Sequence, residues 1–171
     1  KTIRENRRMG IAHVPEDRNL NGSAPEMSVR DNLIAASLDK LSKGTILDRK
    51  AIEDYCEACV EDFRVKTSSL DISIKSLSGG NIQKAIVARE FTAGADTIIL
   101  TQPTRGVYVG AMEFIHKKIL EMRDEKKSLI LVSADLAELK ALSDRIIVFH
   151  QGTIAGVLDD VPNTTEEELG L

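Results

Sequence analysis

Leu77-Ser78-Gly79-Gly80-Asn81-Ile82-Gln83-Lys84 places a hydroxyl and two glycines directly before a helical run. The first N–H groups of a helix have no intrahelical acceptor, and its aligned peptide dipoles attract negative charge, so such a corner suits a nucleotide's terminal phosphate. Gly79 and Gly80 let that phosphate come close to the backbone. From Asn81 the helix continues through Ala85, Ile86, Ala88 and Arg89, with apolar residues spaced to bury one side. Ser-Gly-Gly alone would also fit an ordinary capped helix start; the whole eight-residue string points to function.

Outward from this corner the pattern alternates. Downstream, Thr97-Ile98-Ile99-Leu100 is a short β-branched run that predicts an interior strand, followed by a helix over 110–123, a strand over 128–133, a helix over 135–142 and a strand over 145–150. Gln151-Gly152 then turns the chain into a hairpin strand over 153–158. Upstream, residues 1–8 are charged and predict a linker or trailing loop, and residues 10–14 a buried strand. Turn signals fill 19–25, Ser28 with Asp31 opens a helix through Leu38, and residues 40–47 form a loop. Asp48 caps the clearest amphipathic helix, 49–66, whose stripe is Ile52, Tyr55, Cys56, Cys59, Val60 and Phe63. Strands alternating with helices imply an α/β fold with a parallel sheet covered on both faces. Residues 166–168 are all Glu, a solvated tail.

Composition narrows the function. The chain has 171 residues, 42% of them hydrophobic, enough for one domain with a real core. A net charge of -4 and the lack of a basic, aromatic-studded stretch argue against nucleic acid as a partner. Nothing approaches twenty consecutive apolar residues, and the first residues lack a signal peptide's apolar centre, so any membrane link runs through a partner. Cys56 and Cys59 form a C-x-x-C without a second ligand pair, which predicts buried free thiols, pointing to the cytoplasm, rather than a metal site. His13, His116 and His150 are scattered without ligand spacing, so no metal is expected.

The eight-residue string resembles the signature motif of ABC transporter ATP-binding subunits. Three further segments fit that family: Pro15-Glu16-Asp17-Arg18 at the Q-loop, Pro103-Thr104-Arg105-Gly106 after a Walker B-like strand, and Ser143-Asp144-Arg145-Ile146 before a late strand. Together, from about Met9 to Leu158, they resemble the second nucleotide-binding domain of tandem ATPases that drive import of simple sugars or nucleosides. The resemblance implies a partial P-loop NTPase core with a mostly parallel sheet and an inserted helical subdomain. It divides the chain into residues 1–27 (core strand and Q-loop), 28–76 (helical subdomain), 77–160 (signature helix, Walker B-like strand and C-terminal core) and 161–171 (acidic tail).

No G-x-x-x-x-G-K-[ST] P-loop occurs in these 171 residues. In the family it precedes the region of Met9, so the chain is expected to be the later part of such a domain, inactive alone and, with sheet edges unpaired, prone to self-association. The family's magnesium-holding Asp and water-polarising Glu fall at Thr101 and Gln102, its switch His at Ala134, its D-loop Asp at Tyr108 and its Q-loop Gln at Glu16. A hydroxyl is a weaker magnesium partner and a glutamine cannot take a proton, so this chain's own hydrolytic site is expected to be degenerate. The resemblance implies instead that Ser78, Gly79 and Gly80 grip the γ-phosphate of an ATP bound to another domain, with Gln83 or Lys84 near its ribose or phosphates. Glu16, Asp17 and Arg18 are expected to couple closure to a permease. The role of Arg105 stays open between a reach across the dimer and a strand-ending turn.

The implied cofactors are ATP and Mg2+ in the full complex, none in the isolated fragment. The implied partners are a second ATP-binding domain with an intact P-loop, transmembrane permease subunits and, indirectly, an extracytoplasmic solute-binding protein, which place the chain at the cytoplasmic face of the membrane. Alternatives are a non-transport ABC-type ATPase, which would bring coiled-coil heptads or basic surfaces, and a nucleotide-sensing module without turnover.

Overall fold

The computed structural model describes residues 2–44, 46–161 and 164. Its elements run α1 (Ile3–Arg8), β1 (Ile11–Val14), α2 (Val29–Ile34), β2 (Ser42–Lys43), β3 (Ile46–Leu47), α3 (Arg49–Asp62), α4 (Gly79–Thr92), β4 (Thr97–Thr101), α5 (Val109–Asp124), β5 (Ser128–Val132), α6 (Leu136–Leu142), β6 (Ile146–His150) and β7 (Thr153–Leu158). Two compact units divide the chain, Lys1–Val132 and Ser133–Leu171.

In the first unit β1, β4 and β5 form a parallel sheet in the order β1-β4-β5, with Val14 opposite Leu100 and Thr101 opposite Val132. Side chains alternate across a strand, so Ala12, Val14, Ile98 and Leu100 share one face and are buried. The other face is open. Ile130 and Val132 stay half exposed there, at 51% and 50%, and His13 is exposed too, so the expected cover on both faces is present on one only.

The buried face lies against α4, which also packs on α2, α3 and α5. Everything from Ala85 to Phe91 on this helix is buried, including Arg89 and Glu90, so α4 is enclosed nearly all round rather than along one side. Phe63, just past α3, meets Phe91 edge to face at 6.3 Å, a contact worth about 0.5–1.5 kcal/mol beyond its area. Thus α2 and α3 pack onto α4 within the first unit. Asp48 caps α3 by accepting from the amides of Lys50 and Ala51, and Ser28 with Asp31 makes the predicted reciprocal cap on α2. Cys56 and Cys59 are buried free thiols, 0% and 2% exposed, as their spacing predicts.

Four local expectations need correction, the first being the helix that Asp48 caps, which ends at Asp62 rather than 66, where the Phe63 amide closes the last turn on Cys59 O. Residues 1–8 are not a linker: Thr2 and Glu5 form a capping box that starts α1, and the Arg7 side chain is anchored on Glu90. The helix after Ser28 ends at Ile34 rather than Leu38, where the buried Ser37 hydroxyl turns to Tyr55 Oη at 3.0 Å. Residues 40–47 are not wholly loop, since β2 and β3 pair antiparallel.

The second unit holds α6, capped by Asp135, and the β6–β7 hairpin. Its turn, Gln151-Gly152, takes φ of +47° and +78°, the left-handed pair that suits a two-residue hairpin. The expected acidic tail, 161–171, lies outside the described residues except Val161 and Thr164.

Candidate functional site

Ser78 is the N-cap of α4, with φ -65° and ψ 152°, yet its side chain makes no capping bond. Its backbone carbonyl accepts from the amides of Asn81 and Ile82, both at 2.9 Å, and so starts the helix. The hydroxyl meanwhile accepts from Asn81 Nδ2 at 3.0 Å. An accepting hydroxyl keeps its proton to donate, and the amides of Gly79 and Gly80 are first-turn donors that a helix leaves without an internal acceptor. Three donors converge at the exposed Ser78 corner, a geometry suited to phosphate oxygens.

Behind the corner a loop, Pro103–Gly106, is tied down from two sides. Gln83 is 2% exposed, and its Nε2 donates to the Pro103 carbonyl at 2.8 Å, while its Oε1 has no partner among the described residues. Gln83 therefore holds the loop instead of approaching a nucleotide. Arg18 donates through Nη1 to Arg105 O at 2.8 Å and through Nη2 to Gly106 O at 3.3 Å, and Glu16 pairs with the Arg105 guanidinium. Asp17 Oδ1 accepts from the amides of Asn19 and Leu20, both at 2.9 Å, and caps the single wide helical turn Arg18–Gly22. Each of these three side chains is engaged within the chain, and Arg105 is placed by Glu16.

Lys84 also leaves the expected site. Its ammonium donates to Arg64 O at 3.3 Å and lies 4.7 Å from the Phe114 ring centroid. Burial lowers its pKa below the usual lysine value, and the charges of Lys66 and Arg64 push the same way. Lys84 joins an aromatic-capped basic cluster with Arg64 and Lys118, both also over Phe114.

At the C-terminal end of β4, Thr101 Oγ1 lies 3.2 Å from His13 Nε2. Gln102 adopts φ +50°, unusual for a residue with a side chain, and its amide donates to Val132 O at 2.8 Å. No carboxylate occupies either position, so this strand end offers magnesium a poor donor set. Ala134 belongs to the second unit. Tyr108, N-cap of α5, is 83% exposed and makes no side-chain capping bond.

One network escaped the sequence reading. Glu90, 0% exposed, accepts from Arg7 Nη2 at 2.9 Å and Arg89 Nε at 2.8 Å, and Arg89 Nη2 donates to Gly22 O at 2.7 Å. It binds the far end of α4 to α1 and to the turn carrying Arg18. A buried charge demands such partners, but nothing in the spacing of Arg7 and Glu90 reveals it.

No protein-family model matches the chain. Curated relatives do. The chain is 42% identical over 163 residues to the nucleoside import ATP-binding protein NupA of Lactococcus lactis subsp. cremoris, covering 94% of this chain and 32% of the relative. It is 39% identical over 173 residues to a putative ribose/galactose/methyl galactoside import ATP-binding protein of Geobacillus kaustophilus, covering 99% of this chain and 34% of the relative. The chain thus spans about a third of the length of these relatives. Among solved structures, a dimeric ATP-binding cassette in a post-hydrolysis state bound to ADP and Pi superposes with a TM-score of 0.74 at 19% identity, covering 91% of this chain and 65% of that one. That likeness is one of fold, and it agrees with the parallel sheet packed on α4. Along most of its own length the chain is similar in sequence to ATP-binding import proteins, and its fold is that of an ATP-binding cassette.

Proposed function

We propose that this chain is one jaw of a composite ATP site in an importer of simple sugars or nucleosides. ATP held on the P-loop of a second ATP-binding domain is gripped from the opposite side by Ser78, Gly79 and Gly80. The observation that carries this reading is the uncommitted corner: Ser78 starts α4 with its backbone while its hydroxyl stays off the first-turn amides. When bound, ATP with Mg2+ supplies the terminal phosphate and the hydrolysable bond. This chain's residues orient that phosphate; Gln83 and Lys84, bonded elsewhere in the chain, are not among them.

The site on this chain's own β4 is silent in this account. Thr101 and Gln102 offer neither a magnesium carboxylate nor a general base, and removing even one preorganised catalytic donor typically costs about a hundred- to a thousandfold in rate. Glu16, Asp17 and Arg18 form the segment that passes closure to the permease, acting through the Pro103–Gly106 loop that Glu16 and Arg18 touch. Permease subunits hold the chain at the cytoplasmic face of the membrane, with a solute-binding protein acting further out. No helix among the described residues is long and apolar enough to cross a membrane, which suits attachment through such subunits.

The test is thiol protection in the longer protein carrying Ser78→Cys. Cys56 and Cys59 are buried and stay unlabelled, so with any cysteine outside these 171 residues replaced by serine, maleimide reports position 78. A non-hydrolysable ATP analogue with Mg2+ should protect that thiol, and protection should vanish when the P-loop lysine of the other ATP-binding domain is replaced. Labelling indifferent to nucleotide contradicts the reading.

A further inference from the structure

The Arg18 guanidinium occupies a slot whose walls are two glycines 27 residues apart. A Cβ placed on Gly79 would lie 3.1 Å from Arg18 Nη2, and one on Gly106 3.5 Å from the same atom. The floor of the slot is the pair of carbonyls, Arg105 O and Gly106 O, that accept from Nη1 and Nη2. Gly106 takes φ +64°, a left-handed conformation that glycine adopts without strain. A cation beside the N-terminus of α4 is repelled by the helix dipole, so the slot is not where arginine would settle for charge alone. A planar, forked donor meets both carbonyls in one fixed geometry.

We propose that Arg18 is a positioning residue: it latches the Pro103–Gly106 loop against the first turn of α4, and Gly79 lacks a side chain to admit the latch as well as a phosphate. The latch rests on the proposed function only where it reaches turnover. It makes the loop that ends the Walker B-like strand and the corner that grips phosphate a single moving part. Gln83, bonded to Pro103 O, fixes the near end of that loop from inside, and Arg18 fixes its far end from the surface.

Amide hydrogen exchange on this chain tests it. In Arg18→Gln the amides of Arg105 and Val107, bonded to Gln102 O and Thr104 O, should exchange about tenfold faster, the loss anticipated when two modest hydrogen bonds disappear. Ile99 and Leu131 in the sheet should not change. Arg18→Lys should rescue only in part, because an ammonium lacks the fixed planar fork that holds the two carbonyls in one geometry. Gly79→Ala, which normally favours a helix, should instead loosen the same two amides by displacing the guanidinium. Unchanged exchange at Arg105 and Val107 in Arg18→Gln, full rescue by lysine, or uniform acceleration across the sheet each overturns the latch.

In the longer protein Arg18→Gln should lower kcat for ATP about tenfold and leave KM unaltered, since the nucleotide is held by the other domain's P-loop. Loosened amides with an unaltered kcat would retain the latch and remove the trans reading. Unaltered amides remove the latch whatever turnover does.

Discussion

The helix entrance at Ser78 and the strand end at Thr101 belong to one compact unit, and they have opposite chemistry. At Ser78 the polar groups are left available: a hydroxyl that does not cap its helix and two glycine amides in the first turn. At Thr101 the hydroxyl meets His13 and the following amide donates to Val132 O, and the two positions at the strand end carry a hydroxyl and an amide in place of carboxylates. A binding surface survives with donors alone, because backbone amides come with the helix. Hydrolysis needs a base and a metal ligand, which only particular side chains supply. On the proposed function, one region can serve a partner's ATP while the other does not hydrolyse its own.

The largest effect should come from breaking the scaffold that joins the two regions. Glu90→Ala leaves Arg89, 9% exposed, without its carboxylate and should cost about 3–5 kcal/mol in urea unfolding, taking corner and strand end down together. A cost under about 1 kcal/mol, in the range of surface ion pairs, would mean the two regions are held together by something else.

A smaller effect isolates the layer beneath the corner. Burial pushes the Cys56 thiol up to about 12, from an ordinary value of 9.0. The folded state keeps this proton after the unfolded chain has released it, so its stabilising contribution is whole below about pH 9 and is lost as pH rises towards 12. Stability should fall by about 1.4 kcal/mol per pH unit across that window from this group. Cys56→Ala should remove that part of the slope, and an identical slope in both proteins would show that alkaline loss starts elsewhere.

The sequence made the alternation from β4 to β7 legible to within a residue or two, because β-branched runs and capping residues mark both ends of each element. Ser28 with Asp31, and Asp48, carried the same information for the starts of α2 and α3, though both helices end four residues earlier than expected. It did not disclose α1, whose start depends on Thr2 and Glu5 folding back on each other, nor the early end of α2, which Ser37 and Tyr55 decide from 18 residues apart. At the site, the corner itself could be read from Ser78-Gly79-Gly80. Gln83 and Lys84 could not be placed, because periodicity gives a direction and not a partner. Gln83 points inward to a carbonyl 20 residues away, and Lys84 settles over an aromatic ring of α5. Arg18 was read as a coupling charge; its contacts with Arg105 and Gly106 depend on a tertiary approach across 87 and 88 residues.

The most direct measurement is ATP turnover by the longer protein with Ser78→Asp and, separately, Gln102→Glu. A carboxylate at the corner should repel the phosphate it must grip and lower turnover about a hundred- to a thousandfold, while a glutamate restored at the silent strand end should leave the rate where it was. Undiminished turnover with Ser78→Asp, or a large gain from Gln102→Glu, would contradict the division of labour between the two regions.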